Sequence, residues 1–138
     1  MTILDTNVVS ALMNDPPKDR VVAWIDSQAR TSIWTTSITV FEVRSGLEIM
    51  PAGKRQARLS EVFERILDGI GQRVAVFDDE AARLAANLTA FRRKNGRVGE
   101  LRDTMIAGIV LAHRAGLATR NTAHFRDISA TVINPWDA

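Results

Sequence analysis

The chain has 138 residues, of which 46% are hydrophobic and 25% are charged, a balance that predicts one globular domain spanning residues 1–138. The absence of cysteine excludes disulfide bonds and thiolate metal sites, and two histidines are too few for a histidine-rich zinc site, so any metal site must use oxygen ligands. No apolar run is long enough to cross a membrane, and no basic segment leads into an apolar one near the first residue. We therefore expect a cytoplasmic protein with no membrane partner.

Arginine dominates the basic residues, although the net charge is only +2. Fifteen of the 18 basic residues are arginine, whose planar fork grips phosphate or carboxylate groups in two places. The densest cluster consists of Arg92, Arg93, Lys94, Arg97 and Arg102. Such a cluster is either a solvated helix face or a surface that follows a phosphate backbone, and the second interpretation requires an active site nearby.

Short β-favouring runs alternate with segments of helical periodicity along the chain. The predicted strands are residues 2–4, 33–36, 73–77, 117–119 and 131–133. The predicted helical segments are residues 16–29, 37–50, 54–70, 78–93 and 102–116. This alternation predicts an α/β fold of three layers, in which helices flank a mainly parallel five-stranded sheet.

Asp5 directly follows the first predicted strand, in the stretch LDTN. In an open parallel sheet, ligands bind beyond the carboxyl ends of the strands, at the point where the strand order reverses. An aspartate in this position can also cap the helix that follows the strand. Asp5 is therefore either a helix cap or part of a binding site, and its position alone does not separate the two.

Two further acids interrupt the apolar faces of predicted helices. Asp103 precedes Ile106 by three positions, which places its carboxylate on the buried stripe near the start of its helix. Glu42 follows Ile38 by four positions and shares its face, although an unpaired buried glutamate is costly. The alternatives are a capping role for Asp103 and an ion pair between Glu42 and an arginine such as Arg44, which points elsewhere on the helix.

Three acids at strand ends and inward helix faces favour a metal site over three unrelated explanations. Clustered carboxylates repel one another, and their pKa values rise unless a cation neutralises them. A hard divalent ion, Mg²⁺ or Mn²⁺, suits an all-oxygen site and supports hydrolysis at a phosphoryl group. Asp5, Glu42 and Asp103 are therefore the predicted metal ligands. The arginine cluster is then predicted to bind the phosphates of a polyanionic strand.

The segment LATRNTAHF places further polar side chains after the fourth predicted strand. The carbonyl oxygen of Asn121 either joins the site without adding charge or shapes the turn. We interpret His124 as structural in preference to a general base. No serine stands in a histidine–aspartate pattern, and glycine-rich phosphate loops are absent.

Four stretches, LDTNVVS, TSITVFEVRSGLE, RDTMIAGIVLAHRAGLATRNTAHF and INPW, resemble PIN-domain ribonucleases. The resemblance covers essentially the whole chain, in order, and is strongest to the toxins of bacterial VapBC toxin–antitoxin systems in their FitB-like branch. It implies a PIN fold and cleavage of RNA by a water activated by Mg²⁺ or Mn²⁺. It also implies a small antitoxin that covers the active groove, a homodimer or larger assembly, and operator DNA bound through the antitoxin.

The resemblance also assigns roles to individual residues. Asp5, Glu42 and Asp103 fall on the metal-binding acids of the family, and Asn121 occupies the position where members commonly carry a fourth acid, which leaves open whether one metal or two is bound. An outer shell that orients ligands and waters is predicted from Thr6, Asn7 and Thr119. The predicted RNA contacts are Arg92, Arg93, Lys94, Arg97, Arg102 and Arg120.

Two other functions compete with a nuclease. A PIN scaffold that binds nucleic acid or regulates without cleaving it is favoured by Asn121 and disfavoured by the three intact acids. A phosphoacceptor signalling domain also carries acids at strand ends, but it requires a lysine late in the chain. The last lysine here is Lys94, well before the fourth predicted strand, so this alternative is set aside.

Overall fold

The structure, a computed structural model, describes residues 1–138 and contains one five-stranded parallel sheet. The strands are β1 (Thr2–Leu4), β2 (Ile33–Thr36), β3 (Val74–Ala75), β4 (Gly116–Ala118) and β5 (Val132–Ile133). The first two have the predicted bounds, the third is shorter than predicted, and the last two differ from prediction by one residue. The predicted α/β fold with a parallel five-stranded sheet is confirmed.

Six helices and two short 3-10 segments, Arg30–Ser32 and Thr122–Phe125, connect the strands. The helices are α1 (Thr6–Met13), α2 (Asp19–Asp26), α3 (Ser37–Ile49), α4 (Lys54–Gly69), α5 (Asp79–Lys94) and α6 (Leu101–Ala112). Asp78 caps α5, because its carboxylate accepts a hydrogen bond from the Ala81 amide at 3.0 Å. None of the helices combines the length and apolarity needed to cross a membrane.

The two faces of the sheet carry two separate hydrophobic cores. Leu4 and Ile3 are both fully buried and point to opposite faces, as alternate residues of a strand must. Leu4 packs with residues of α1, α2 and α4, whereas Ile3 packs with residues of α5 and α6. Helices α5 and α6 approach closely at Gly108, where an added Cβ would lie 2.4 Å from the Ala81 carbonyl oxygen. The three predicted layers are therefore helices, sheet and helices.

The strand order β3-β2-β1-β4-β5 reverses direction at the centre of the sheet. From β1 the chain moves outward to β2 and β3, then returns to form β4 on the other side of β1. The carboxyl ends of β1 and β4 therefore flank the crevice where parallel sheets bind ligands. Asp5 follows β1 and Thr119 follows β4, so both residues stand at this crevice.

Candidate active site

Asp5 is both a helix cap and the centre of a polar network. Its side chain is 3% exposed. One carboxylate oxygen, Oδ1, accepts from the Thr6 amide at 2.8 Å at the start of α1, and the other, Oδ2, accepts from the Thr119 hydroxyl at 2.7 Å. Because only one oxygen serves the cap, the two interpretations left open by the sequence are compatible.

Burial raises the pKa of Asp5 from its ordinary value of 3.8 to about 6. The hydrogen bonds from Thr119 and Thr6 act in the opposite direction, while the negative charges of Asp103 and Glu42 raise the pKa further. No arginine or lysine forms an ion pair with Asp5, so the fold provides only neutral donors to this buried carboxylate. Asp5 is thus placed where a cation is electrostatically favoured.

Glu42 reaches the same network from α3. The Thr6 hydroxyl donates to Glu42 Oε1 at 2.8 Å and lies 3.0 Å from the Thr39 hydroxyl, so Thr6 joins α1 to α3. The alternative ion pair with Arg44 does not occur, because Arg44 binds Glu64 on α4 at 2.8 Å. Glu42 therefore faces the crevice without a cation of its own.

Asp103 enters the site from the first turn of α6. Its amide donates to the Glu100 carboxylate at 3.0 Å, so Glu100 caps this helix and Asp103 is free of that role. The carboxylate of Asp103 is 18% exposed and contacts His124, with Nδ1 to Oδ2 at 2.9 Å. His124, interpreted from sequence as structural, is an exposed side chain that holds one of the site's acids.

Asn7 and Thr119 connect LDTN to the segment after β4. The side-chain nitrogen Nδ2 of Asn7 lies 3.3 Å from the Thr119 hydroxyl oxygen and 3.4 Å from Asp5 Oδ2, and the side-chain oxygen Oδ1 of Asn7 accepts from the Arg120 backbone amide at 3.1 Å. The Thr119 hydroxyl also accepts from the Asn121 amide at 3.0 Å. The structure thus brings together around Asp5 the three residues assigned to an outer shell.

One cavity of about 460 Å³ unites the predicted site residues. Asp5, Glu42, Asp103 and Asn121 all line it. The sequence interpretation missed five further lining residues: Ser10, Ala11, Asn14, Lys18 and Trp136. The sequence offered a reason to suspect Trp136, because it lies in the INPW stretch, which contributed to the family resemblance but was given no role. Lys18 had none, since a single lysine at the start of a predicted helix does not distinguish a binding residue from a solvated one.

The donor set of this cavity fits a hard divalent cation. Three carboxylates and the Asn121 amide oxygen are the oxygen donors that Mg²⁺ and Mn²⁺ prefer. As the side chains stand, no three of the histidine, aspartate and glutamate side chains lie close enough to hold one ion together. Mg²⁺ is commonly bound by only one or two carboxylates and keeps several waters, so the chemistry of the lining fits the ion without a complete protein cage.

Of the six predicted RNA contacts, one is wrong, namely Arg92. Arg92 is 2% exposed, and its guanidinium binds Asp127 through Nε and Nη2, both at 2.9 Å. Arg92 therefore cannot contact RNA at the surface, because a buried, paired arginine satisfies its donors inside the fold. Arg97 also pairs with Asp127 at 2.9 Å, and Arg102 lies 3.6 Å from Glu100. Arg93 and Lys94 are exposed without ion pairs, and Arg120 lines the cavity.

Comparison with known proteins adds a family and several relatives. The family model described as PIN domain matches residues 2–130. A plasmid stability protein, StbB of Pseudomonas syringae pv. tomato, is 41% identical over 139 residues and is covered completely, as is this chain. The VapC ribonuclease Y4jK of Sinorhizobium fredii is 40% identical over 138 residues, with 99% of each chain covered.

Solved structures show the same similarity in three dimensions. The crystal structure of FitAcB from Neisseria gonorrhoeae matches with a TM-score of 0.90 and 34% identity, over all of both chains. A structure of FitAB bound to an IR36 DNA fragment matches with a TM-score of 0.89 and 34% identity, over 99% of this chain and 96% of the other.

Proposed function

The chain belongs to the PIN-domain family, and from this premise we propose that it is a metal-dependent endoribonuclease acting as the toxin of a toxin–antitoxin pair. The observation that carries the proposal is the convergence of Asp5, Glu42 and Asp103 on one cavity at the reversal of the strand order. No arginine or lysine forms an ion pair with any of these three acids. A phosphodiester and a divalent ion are complementary to such a cavity.

Asp5, Glu42 and Asp103 would hold Mg²⁺ or Mn²⁺, directly or through the waters that such an ion keeps, with the Asn121 amide as a neutral oxygen donor. When bound, such an ion stabilises charge on a phosphoryl group and activates water for hydrolysis. The remaining contribution comes from side chains that hold the acids. Thr119 orients Asp5 and Thr6 orients Glu42 through hydroxyl donors at 2.7 and 2.8 Å. Fixed ligand geometry of this kind raises metal affinity.

A PIN scaffold that binds nucleic acid without cleaving it is the second candidate. The observation in its favour is Asn121, which lines the cavity where the family resemblance implies a fourth acid. An amide can occupy the same space but brings no negative charge. The same purified protein distinguishes the two candidates, because only a nuclease loses activity when the acids are neutralised.

The partners of this chain form part of the same proposal. Relatives have been crystallised as FitAcB and as FitAB bound to DNA, which supports a small antitoxin and contact with operator DNA through that antitoxin. We also propose a cytoplasmic location and a homodimer as the minimal assembly. Co-expression with the product of a neighbouring short gene, followed by size-exclusion chromatography with light scattering, measures both the complex and its stoichiometry.

Cleavage of a structured RNA by the purified chain tests the catalytic part of the proposal. We expect cleavage with Mg²⁺ or Mn²⁺, none with EDTA, and a loss of about a hundredfold or more in Asp5→Asn and Glu42→Gln. Glu48→Gln is a matched control, because Glu48 is exposed on the same helix as Glu42. Asp26→Asn is the control for Asp5, since Asp26 is exposed at the end of α2. Equal background cleavage in the wild type and Asp5→Asn would contradict the nuclease.

A further inference from the structure

The cavity is lined by cationic as well as acidic side chains. Of the lining side chains, only Lys18 and Arg120 are cationic. Arg120 makes no ion pair with any carboxylate and no side-chain hydrogen bond, although three acids line the same cavity. An arginine beside acids that remains unpaired has its donors available for a ligand.

The backbone of Arg120 is held in place relative to Asp5. Its amide donates to Asn7 at 3.1 Å, and the preceding residue, Thr119, donates to Asp5 at 2.7 Å. The guanidinium therefore starts from a fixed point one residue away from a direct contact of the buried acid. The hydrogen bonds of Asn7 and Thr119 therefore fix the backbone of Arg120 relative to Asp5.

The side chain of Arg120 rests on an aromatic ring. The guanidinium carbon lies 5.1 Å from the centroid of the Trp136 ring. Stacking on an aromatic ring covers the face of the guanidinium and leaves the N–H groups at its edge free. A guanidinium held in this way presents two parallel donors to an anion at little cost in side-chain entropy.

Trp136 is itself fixed by a turn at the end of the chain. Its amide donates to the Asn134 side chain at 3.0 Å, and its carbonyl oxygen accepts from Arg20 at 3.1 Å. The Asp137 amide closes the turn on the Asn134 carbonyl oxygen at 3.1 Å. The ring packs against the hydrophobic core on the α1 side of the sheet. The turn formed by the INPW stretch therefore holds Trp136 in place beside the cavity.

We infer that Arg120, stacked on Trp136, binds a phosphate of the RNA strand beside the acids. The inference rests on the proposed function for the identity of the ligand. A cation bound at the acids would neutralise them, so Arg120 is not required there and serves the next negative charge, that of the phosphodiester. Arg120 is then a binding residue of the site, and Trp136 is a positioning residue that acts through it.

Binding of a fluorescein-labelled single-stranded RNA in EDTA, measured by anisotropy, tests the inference without cleavage. We expect Arg120→Ala to weaken affinity by about tenfold or more, and Arg120→Lys and Trp136→Ala to weaken it less. The dependence of log affinity on log salt should become shallower by about 0.7 in Arg120→Ala, the value for one phosphate contact on a single strand. A merely structural role for Arg120 would leave this slope unchanged.

Arg126→Ala is the matched control, since Arg126 is also exposed and free of ion pairs but does not line the cavity. In cleavage assays we expect Arg120→Ala to raise KM more than it lowers kcat. Wild-type affinity and salt slope in Arg120→Ala would overturn the inference even if the wild type cleaves RNA. Conversely, weaker binding and a shallower slope would support the inference even if the wild type failed to cleave, an outcome that would remove only the nuclease.

Discussion

Two largely buried carboxylates, Asp127 and Asp5, have opposite electrostatic environments. Asp127 accepts two hydrogen bonds from the buried Arg92 guanidinium, and this contact holds its pKa below the usual range. Asp5 receives hydrogen bonds from neutral donors only, and burial raises its pKa to about 6. The fold neutralises one acid internally and leaves the other without a charged partner. Asp127 is therefore part of the framework, whereas Asp5 belongs to the candidate active site.

Two arginines, Arg92 and Arg120, differ in the same way. Arg92 also donates to the Thr104 hydroxyl at 3.0 Å and to the His124 carbonyl oxygen at 2.9 Å, so it ties α5 and α6 to the segment after β4. The four side-chain hydrogen bonds of Arg92 all lie inside the protein. Arg120 has no such partners and rests on Trp136 at the cavity. The same residue type thus has a structural role at Arg92 and a proposed binding role at Arg120.

The largest expected difference between the regions is in stability. Arg92→Met leaves Asp127 buried without its main partner, and we expect the free energy of unfolding to fall by about 3 to 5 kcal/mol. Arg120→Ala should change it by less than about 0.5 kcal/mol, as is usual for an exposed side chain. Urea unfolding followed by circular dichroism measures both values. Arg97→Ala is the control, because it removes the half-exposed second partner of Asp127. Similar losses of unfolding free energy in Arg92→Met and Arg120→Ala would contradict a structural role for Arg92 alone.

The pH dependence of stability is expected to be a smaller effect than the loss in Arg92→Met. It distinguishes the two acids, because the contribution of Asp5 decreases with rising pH and that of Asp127 increases. The folded pKa of Asp5, about 6, exceeds its ordinary value of 3.8, so without metal its contribution to stability is largest below that value and is lost as pH rises through 6. Asp127 has a lowered pKa, so its contribution is present above 3.8 and is lost at lower pH.

We expect Asp5→Asn to gain stability relative to the wild type between about pH 4 and pH 7.5, on the order of 2 kcal/mol in EDTA. Urea unfolding at these two pH values checks the gain, with Asp26→Asn as the control for removal of one exposed charge. A constant difference between Asp5→Asn and the wild type across this range would show that Asp5 does not titrate in it.

The smallest expected effect concerns repulsion among the acids. The charge of Asp103 is a minor contributor to the raised pKa of Asp5, so Asp103→Asn should raise the melting temperature by only about 1 to 3 °C. Adding Mg²⁺ to the wild type should also raise it, by mass action on the folded state. Differential scanning calorimetry measures both shifts, and Asp79→Asn at the start of α5 is the control. The absence of both shifts would argue against charge coupling in the cavity.

Most of the fold and the acids of the candidate site were predictable from local pattern. Strands β1 and β2 have the predicted bounds because their β-favouring runs end at polar residues that begin the next helices. Glu42 and Asp103 were found because a carboxylate on an apolar stripe is costly and therefore informative. Arg92 was misassigned because a charge cluster looks the same whether its members face water or a partner 35 residues away.

The sequence by itself therefore determined which segments form strands and helices and which acids lie on inward faces, since periodicity and burial cost are local properties. Only the tertiary structure decided where those acids meet, because the return of β4 to the side of β1 depends on packing across both faces of the sheet. Long-range contacts likewise decided that Asp127 receives an internal cation and Asp5 does not. The contact between Arg120 and the Trp136 ring, 16 residues further along the chain, also depends on the tertiary structure.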